Sequence, residues 1–425
     1  LLAPILGQAD SGRDNAVAED NVTGPDATVS PDTVSASASA ARFPQGIMAG
    51  DPKPDGTILW TRVALENSCC DSPDSGTPSG DIDVLWEVAE DATFDVIVAG
   101  GIVTAAADAD HTLKIAVTGL DPDRWYAYRF TVQGVSSVTG RLRTAPLPGA
   151  LPDRLRFVFA SCQQINKSHY VAHRAIAQEG ADFFMHLGDY IYVSDFGTIT
   201  LDDYRNVYKR FRNNPDLQVV HAAVPTVAMW DDGEFSNYVN RHWDAQRLLN
   251  GARAWHEYMP VATDPQDPLR VYRQLAWATL ADILMIDVRT HSDGDIAETN
   301  SLTTAGAKMM DPSRSLLGRE QLQWLKQGMQ DSTALWRMVG QGFMIMPWRL
   351  VDLDTPAIRK LSPKWQRNAG IYAPTGDWDD YQADRRELLT HLQDRNIQNN
   401  IFCSGDLHLF FAGKLQSNYD DALSP

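Results

Sequence analysis

The stretch Asp182-Phe183-Phe184-Met185-His186-Leu187-Gly188-Asp189-Tyr190-Ile191-Tyr192 decides the predicted fold, because an apolar run of strand length ends there in Gly-Asp. Other apolar runs of strand length lie at 155–160, 226–230, 281–286, 336–340 and 401–404. Segments with helical periodicity alternate with them, at 169–178, 201–222, 318–330 and 380–395. Strands that alternate with helices are typical of an α/β fold with a parallel sheet. We therefore predict an α/β region from residue 154 onward.

Five of these strands are followed by side chains that can bind a metal ion, and these are Cys162, Asp189, Asp231-Asp232, Gln341, and Asp406 with His408. Ligands of α/β proteins bind outside the carboxyl ends of the strands, so these side chains are expected to meet in one crevice. Several carboxylates in one crevice destabilise one another unless cations are present. The pattern therefore predicts a polynuclear metal site. Taken singly, each residue also has a structural explanation, such as a turn, a core thiol or a helix cap.

The donor types suggest two kinds of ion. The thiolate of Cys162, a phenolate from Tyr192 and the imidazole of His408 suit a transition metal such as iron or zinc. Oxygen donors suit a hard cation such as calcium, and the candidates are Asp232, Asp406 and an amide oxygen of Gln341 or Asn237. Asp189 is a candidate bridge between the two ions.

The region before residue 147 has a different pattern. Residues 1–42 are small and polar after the first few positions and predict a flexible leader. Short strands at 57–63, 82–88, 112–117 and 125–132, separated by turn residues, predict an all-β sandwich over residues 43–146. Its Leu-x-Pro and Tyr-x-Tyr pattern resembles a fibronectin type III corner.

Composition excludes several classes of protein. The 425 residues carry 37 Lys plus Arg against 55 Asp plus Glu, a net charge of −18, which argues against a general nucleic-acid binder. No apolar stretch approaches the roughly 20 residues of a membrane span. Four cysteines, two of them adjacent at Cys69 and Cys70, do not make a disulfide scaffold. The opening residues 1–7 fit either the tail of a signal peptide or an arbitrary boundary.

The motifs at the strand ends resemble those of the PhoD-type alkaline phosphatases and phosphodiesterases, which belong to the calcineurin-like metallophosphoesterases. They read Phe159-Ala160-Ser161-Cys162-Gln163, His186-Leu187-Gly188-Asp189-Tyr190-Ile191-Tyr192, Trp230-Asp231-Asp232-Gly233-Glu234 and Ser404-Gly405-Asp406-Leu407-His408. The resemblance extends over about 43–425. It implies a four-layer αββα metallophosphoesterase domain at 154–425, preceded by the β-sandwich at 43–146.

The resemblance also implies the site. It implies an iron (Fe³⁺) site, whose ligands would be Cys162, Asp189, Tyr192 and His408. It implies a calcium (Ca²⁺) site with Asp189, Asp232 and Asp406, where Asn237 and Gln341 are weaker candidates; other divalent metals are alternatives. The implied reaction is hydrolysis of phosphate mono- or diesters by a metal-bound hydroxide. Asp189, Asp232, His408 and Arg289 are the candidate catalytic residues. Arg289 would bind a non-bridging phosphoryl oxygen, and the open alternative is a structural pair with Asp287.

The chain departs from the family pattern at three places. Gly233 replaces the family histidine, which is expected either to protonate the leaving group or to orient the phosphate. Gly342 follows Gln341 where a larger residue is usual. The chain also stops at Pro425, where relatives continue, which predicts a truncated C-terminus. Two alternatives stay open: a phospholipase D-like phosphodiesterase, and a metal-binding pseudoenzyme without the histidine. We predict small phosphate-ester substrates, no specific nucleic-acid binding, no membrane span and a periplasmic or secreted protein.

Overall fold

The computed structural model describes residues 33–64, 80–166, 170–294, 303–304, 308–352, 355–361, 370–372 and 377–416. The strands in these ranges are β1 (Ile47–Lys53), β2 (Gly56–Arg62), β3 (Ile82–Ala89), β4 (Ile97–Ala105), β5 (Thr112–Val117), β6 (Trp125–Val132), β7 (Val135–Ser136), β8 (Gly140–Arg143), β9 (Phe157–Ala160), β10 (Phe183–Leu187), β11 (Thr226–Met229), β12 (Arg273–Trp277), β13 (Ala281–Met285), β14 (Thr303–Thr304), β15 (Trp336–Gln341), β16 (Arg349–Asp352), β17 (Gly370–Tyr372) and β18 (Asn400–Ser404). The α-helices are α1 (Thr33–Arg42), α2 (Val171–Ile176), α3 (Leu201–Arg212), α4 (Pro215–Ala223), α5 (Ala245–Tyr258), α6 (Gly318–Asp331), α7 (Pro356–Leu361) and α8 (Gln382–Asp394). Short 3₁₀-helices cover Ala107–Ala109 and Val193–Phe196.

After α1, the described residues of the front region form β-strands and the short 3₁₀-helix Ala107–Ala109. One sheet has the order β4-β3-β6-β7, with β8 paired to β6, and it faces β5, β2 and β1 across a shared apolar core. Tyr126, Tyr128 and Phe130 alternate along β6 and all enter this core, as their spacing predicts. The predicted leader is wrong for its last ten residues, because Thr33–Arg42 form α1. The rest of the leader, Cys69 and Cys70 lie outside the described residues.

One sheet of the front region continues into the α/β region, a feature that the sequence does not predict. The six-stranded sheet has the order β5-β2-β1-β11-β10-β9, and β1 pairs in parallel with β11 where Gly50 lies opposite Thr226. A Cβ atom at Gly50 would lie 2.5 Å from the carbonyl oxygen of Pro260 and 2.7 Å from that of Thr226. Glycine is therefore required where the front strands join the sheet.

A second sheet has the order β12-β13-β15-β18, in which β13, β15 and β18 are parallel. Side chains of both sheets share one core, including Met185, Met285, Met338 and Cys403. Helices α6 and α8 cover the outer side of the second sheet through Leu322, Leu325, Leu388 and others. The layers are those of an αββα domain. The observed ends lie within two residues of the predicted ends for six strands, which are β9, β10, β11, β13, β15 and β18. Among the described residues, no helix is long and apolar enough to cross a membrane.

A buried polar cluster joins the front region to the helices. Asp110 accepts hydrogen bonds from Arg62 of β2 at 3.2 and 3.1 Å and from the hydroxyl of Tyr258 in α5, and it lies 3.3 Å from the Lys209 ammonium in α3. Burial raises the pKa of Asp110, but the charges of Arg62 and Lys209 outweigh burial, and the pKa is lowered overall. Asp110 is 5% exposed, so its charge is compensated almost entirely by these three neighbours.

We expect Asp110→Asn to lower the free energy of unfolding by about 3–5 kcal/mol, because it leaves the Arg62 charge buried without its partner. Since one sheet spans both regions, unfolding should remain a single calorimetric transition that shifts as a whole. Asp121→Asn is the control, because its pair with Arg124 is exposed, and it should leave the transition almost unchanged. A variant in which only one of two separate transitions moves would contradict the continuity of the two regions.

Candidate metal centre

Four predicted metal ligands adopt left-handed backbone conformations directly after their strands. The φ angles are +61° at Cys162, +56° at Asp189, +65° at Asp406 and +53° at His408. Such angles are uncommon for residues other than glycine and cost of the order of 1–3 kcal/mol each. Four strained residues that carry donor side chains thus lie beyond the carboxyl ends of β9, β10 and β18, which supports a functional role for this edge.

The side chains at this edge form two overlapping groups of metal donors. Donor atoms of Cys162, Asp189 and His408 lie within 4.8 Å of one another, and so do those of Asp189, Asp231 and Asp232. The hydroxyl of Tyr192 lies 3.1 Å from Nε2 of His408 and thus belongs with the first group. Asp189, 3% exposed, is common to both groups, which is the place expected for a bridging carboxylate.

Asp231 also belongs to the second group, although the sequence predicts only its neighbour Asp232 as a ligand of the second ion. It is fully buried, and its Oδ2 atom has no hydrogen-bond partner among the described residues. Glycines allow the chain to close around it, since a Cβ at Gly188 would lie 2.4 Å from the Asp231 Cβ and one at Gly342 would lie 2.6 Å from its Oδ1. Gly342, which departs from the family pattern, is thus required by the packing against Asp231.

Arg289 lies inside the carboxylate cluster. Its Nε donates to Oδ1 of Asp231, its Nη2 donates to Oδ1 of Asp406 at 2.9 Å, and its Nη1 lies 3.4 Å from Oδ2 of Asp232. Asp287, by contrast, accepts the backbone N–H of Arg289 at 2.8 Å. The guanidinium also lies 3.8 Å above the ring of Phe343 and is 2% exposed. The predicted structural pair with Asp287 is therefore wrong for the side chain, because the guanidinium pairs with three other carboxylates.

The two amide candidates are less well placed. Gln341 is fully buried, but its oxygen accepts a hydrogen bond from the indole N–H of Trp378 at 2.8 Å. Its amide nitrogen faces the hydroxyl of Ser404 at 3.4 Å. Asn237 is exposed. Neither side chain presents an amide oxygen to the cluster as directly as the carboxylates do.

Gly233 is packed tightly against the bridging candidate. Its backbone N–H donates to Oδ1 of Asp189 at 2.9 Å. A Cβ atom at this position would lie 2.5 Å from that oxygen and 2.5 Å from the carbonyl oxygen of Ile191. A side chain at 233 would therefore displace the Asp189 carboxylate. Restoring the family histidine is consequently not a neutral addition to this site.

Burial and crowding of like charges dominate the electrostatics. Burial, together with Asp232 and Asp231, raises the pKa of Asp189 well above its ordinary value. Burial raises the pKa of Asp231 to about 8 against the opposing charge of Arg289. Burial and the Asp189 charge also raise the pKa of the Cys162 thiol and of the Tyr192 phenol. Burial would lower the pKa of Arg289, but Asp231, Asp232 and Asp406 outweigh it and raise that pKa.

These residues fit bound cations. Thiol, phenol and imidazole donors surround Asp189 on one side, and carboxylates surround it on the other. One guanidinium serves three carboxylates, while the buried Oδ2 of Asp231 has no hydrogen-bond donor among the described residues. Additional positive charge would favour the ionised forms of all these groups.

Comparison with known proteins identifies relatives for almost the whole chain. The family model of PhoD-like phosphatases matches residues 157–424, and that of the PhoD-like phosphatase N-terminal domain matches residues 27–146. Alkaline phosphatase D of Bacillus subtilis (strain 168) is 32% identical over 418 residues, which cover 91% of this chain and 68% of that protein. The solved structure of PhoD matches with a TM-score of 0.80 at 30% identity, covering 90% of this chain and 75% of that one.

Cations should stabilise the protein more in alkali than in acid. In the metal-free protein, the pKa values of Asp231 and Glu234 are about 8, raised from ordinary values of 3.8 and 4.5. Between about pH 4 and 8 the folded state therefore binds more protons than the unfolded state, and stability falls as the pH rises. Bound cations favour the ionised ligands and oppose this loss.

We expect the increase in Tm on addition of Ca²⁺ and Zn²⁺ to chelator-treated protein to be larger at about pH 8.5 than at about pH 5.5. Differential scanning calorimetry measures both increases. Equal increases at the two pH values would show that cations do not bind at these carboxyl groups.

Proposed function

Because the chain belongs to the PhoD-like phosphatase family and catalyses metal-dependent hydrolysis of phosphate esters, we propose that the reaction takes place at the cluster around Asp189. The observation that carries this proposal is the sharing of Asp189 between two groups of metal donors. A carboxylate common to two sites can hold two ions close together, as hydrolysis by a two-metal centre requires.

The two groups differ in their donors, and we propose a different ion for each. Thiolate, phenolate and imidazole donors favour iron in the first group, and its ligands would be Cys162, Asp189, Tyr192 and His408. Carboxylate oxygens favour calcium at the second site. Its ligands would be Asp189 and Asp232 of the second group, together with Asp406, which lies outside that group but pairs with the same guanidinium as Asp232. Gln341 and Asn237 have less support, since the oxygen of Gln341 already accepts from Trp378 and Asn237 is exposed.

When bound, the ions would polarise the phosphoryl oxygens and lower the pKa of the attacking water. The residues of the chain hold the reacting groups in place around them. Asp189 and Asp232 would bind the ions. Arg289 pairs with Asp231, Asp232 and Asp406. Arg289 would therefore supply positive charge next to the ligands and would not bind the substrate directly. His408 is exposed, whereas Asp189 is buried, so substrate would enter beside His408.

Gly233 bears on which esters are hydrolysed. It provides no side chain that could protonate the leaving group, a contribution that is typically worth about 10²–10⁴-fold in rate. We propose that substrates with good leaving groups, whether mono- or diesters, are favoured. A phospholipase D-like preference for diesters is the second candidate within the same reaction. The periplasmic or secreted localisation stays a prediction, as does the lack of specific nucleic-acid binding.

The first test is hydrolysis of p-nitrophenyl phosphate and bis-p-nitrophenyl phosphate at alkaline pH, with calcium and with chelator. Both activities should depend on metal, and their ratio distinguishes a monoesterase from a diesterase. Asp189→Asn should lose both ions and with them the metal-dependent turnover. Asp384→Asn is the matched control, because Asp384 is equally buried but binds Ser315 and Arg319. Full metal content in Asp189→Asn would show that Asp189 does not bridge two ions.

A second test addresses the iron ligands. If Tyr192 binds iron as a phenolate, the iron-loaded protein should have a visible charge-transfer band that Tyr192→Phe abolishes. Tyr190→Phe is the control, since the Tyr190 hydroxyl contacts His221 at 2.9 Å rather than the cluster. A band that survives in iron-loaded Tyr192→Phe would exclude Tyr192 as the ligand.

A further inference from the structure

We propose that Glu234 is a positioning residue. It links the loops that carry Asp189 and Asp231 by hydrogen bonds, and it thereby increases the affinity of the metal centre for cations. Its carboxylate is fully buried and accepts three backbone hydrogen bonds. Oε2 accepts from the N–H of Asp189 at 3.1 Å and from that of Asp231 at 2.8 Å, and Oε1 accepts from the N–H of Tyr190 at 2.7 Å. The proposal rests on the proposed function, because it concerns the same metal centre.

The ends of β10 and β11 need such a connection. The two strands pair in parallel as far as Leu187 and Met229, and the ladder stops there. Gly188 and Asp189 then turn into left-handed conformations, with φ of +96° and +56°. The backbone N–H groups beyond the last pair are buried and require acceptors. The carboxylate of Glu234 supplies those acceptors and links the two loops across the end of the ladder.

The geometry distinguishes this role from that of a ligand or a base. Both oxygens of Glu234 are engaged with backbone N–H groups, and the side chain has no exposed surface. Glu234 would therefore act through Asp189 and Asp231 without contact with ions or substrate. Removal of hydrogen-bond partners behind metal ligands typically lowers metal affinity by about 10–100-fold.

The test uses the chelator-treated chain with Ca²⁺ and Zn²⁺ as probes, measured by titration calorimetry. Glu234→Gln keeps the shape of the side chain, removes its charge and turns a donor toward a backbone N–H. We expect it to bind both probes about 10–100-fold more weakly, and at saturating metal to reduce kcat with little change in KM. Glu257→Gln is the matched control, because Glu257 is a shielded carboxylate paired with Arg205 and Arg253 instead, and its probe affinity should equal that of the wild type.

Wild-type affinity for both probes in Glu234→Gln would overturn the inference. Failure of the wild-type chain to bind either probe would instead overturn the proposed metal centre, so the two failures are distinguishable. Hydrogen exchange provides a measurement that does not depend on the folding of a variant. In the metal-free wild type, the amides of Asp189, Tyr190 and Asp231 should be protected, and exchange as fast as in exposed loops would exclude the three hydrogen bonds.

Discussion

The guanidinium of Arg289 lies among Asp231, Asp232 and Asp406, and the arrangement of the candidate metal centre depends on this ion-pair cluster. Asp231 follows β11 of the first sheet, whereas Arg289 and Asp406 follow β13 and β18 of the second. Like charges at adjoining sheet edges repel at low dielectric, and a buried cation between them converts repulsion into attraction. The single positive charge of Arg289 holds these carboxylates together but cannot neutralise all of them. The edge therefore keeps a net negative charge when the carboxylates are ionised.

Other residues at this edge lie closely packed around the same carboxylates. Glycines at 188, 233 and 342 let the backbone approach Asp231 and Asp189 more closely than a Cβ would allow. Left-handed conformations at Cys162, Asp189, Asp406 and His408 turn these side chains away from their strands at some energetic cost. Cations bound by these donors would offset that cost, which explains why strain and negative charge coincide at the proposed metal centre.

Much of the fold could be predicted because apolar runs and turn residues are local signals. The sequence 182–189 identifies β10 and its terminal carboxylate, and similar runs locate β9, β11, β13, β15 and β18. Pairing between distant strands leaves no local signal, so the junction of Gly50 with Thr226 could not be predicted. The partners of Arg289 and the three donors to Glu234 depend on side-chain directions in the folded chain. Only the spacing of Glu234, three residues after Asp231, offered a clue, since a carboxylate there can accept the Asp231 N–H.

The most direct measurement is the free energy of unfolding of Arg289→Gln and of the wild type, each with and without Ca²⁺ and Zn²⁺. If Arg289 compensates the carboxylates, the variant should lose about 3–5 kcal/mol in the metal-free state. Cations should restore more stability to Arg289→Gln than they add to the wild type or to Arg273→Gln, whose partner Asp51 is a separate buried carboxylate. Equal stability of the variant and the wild type without metal would contradict the account.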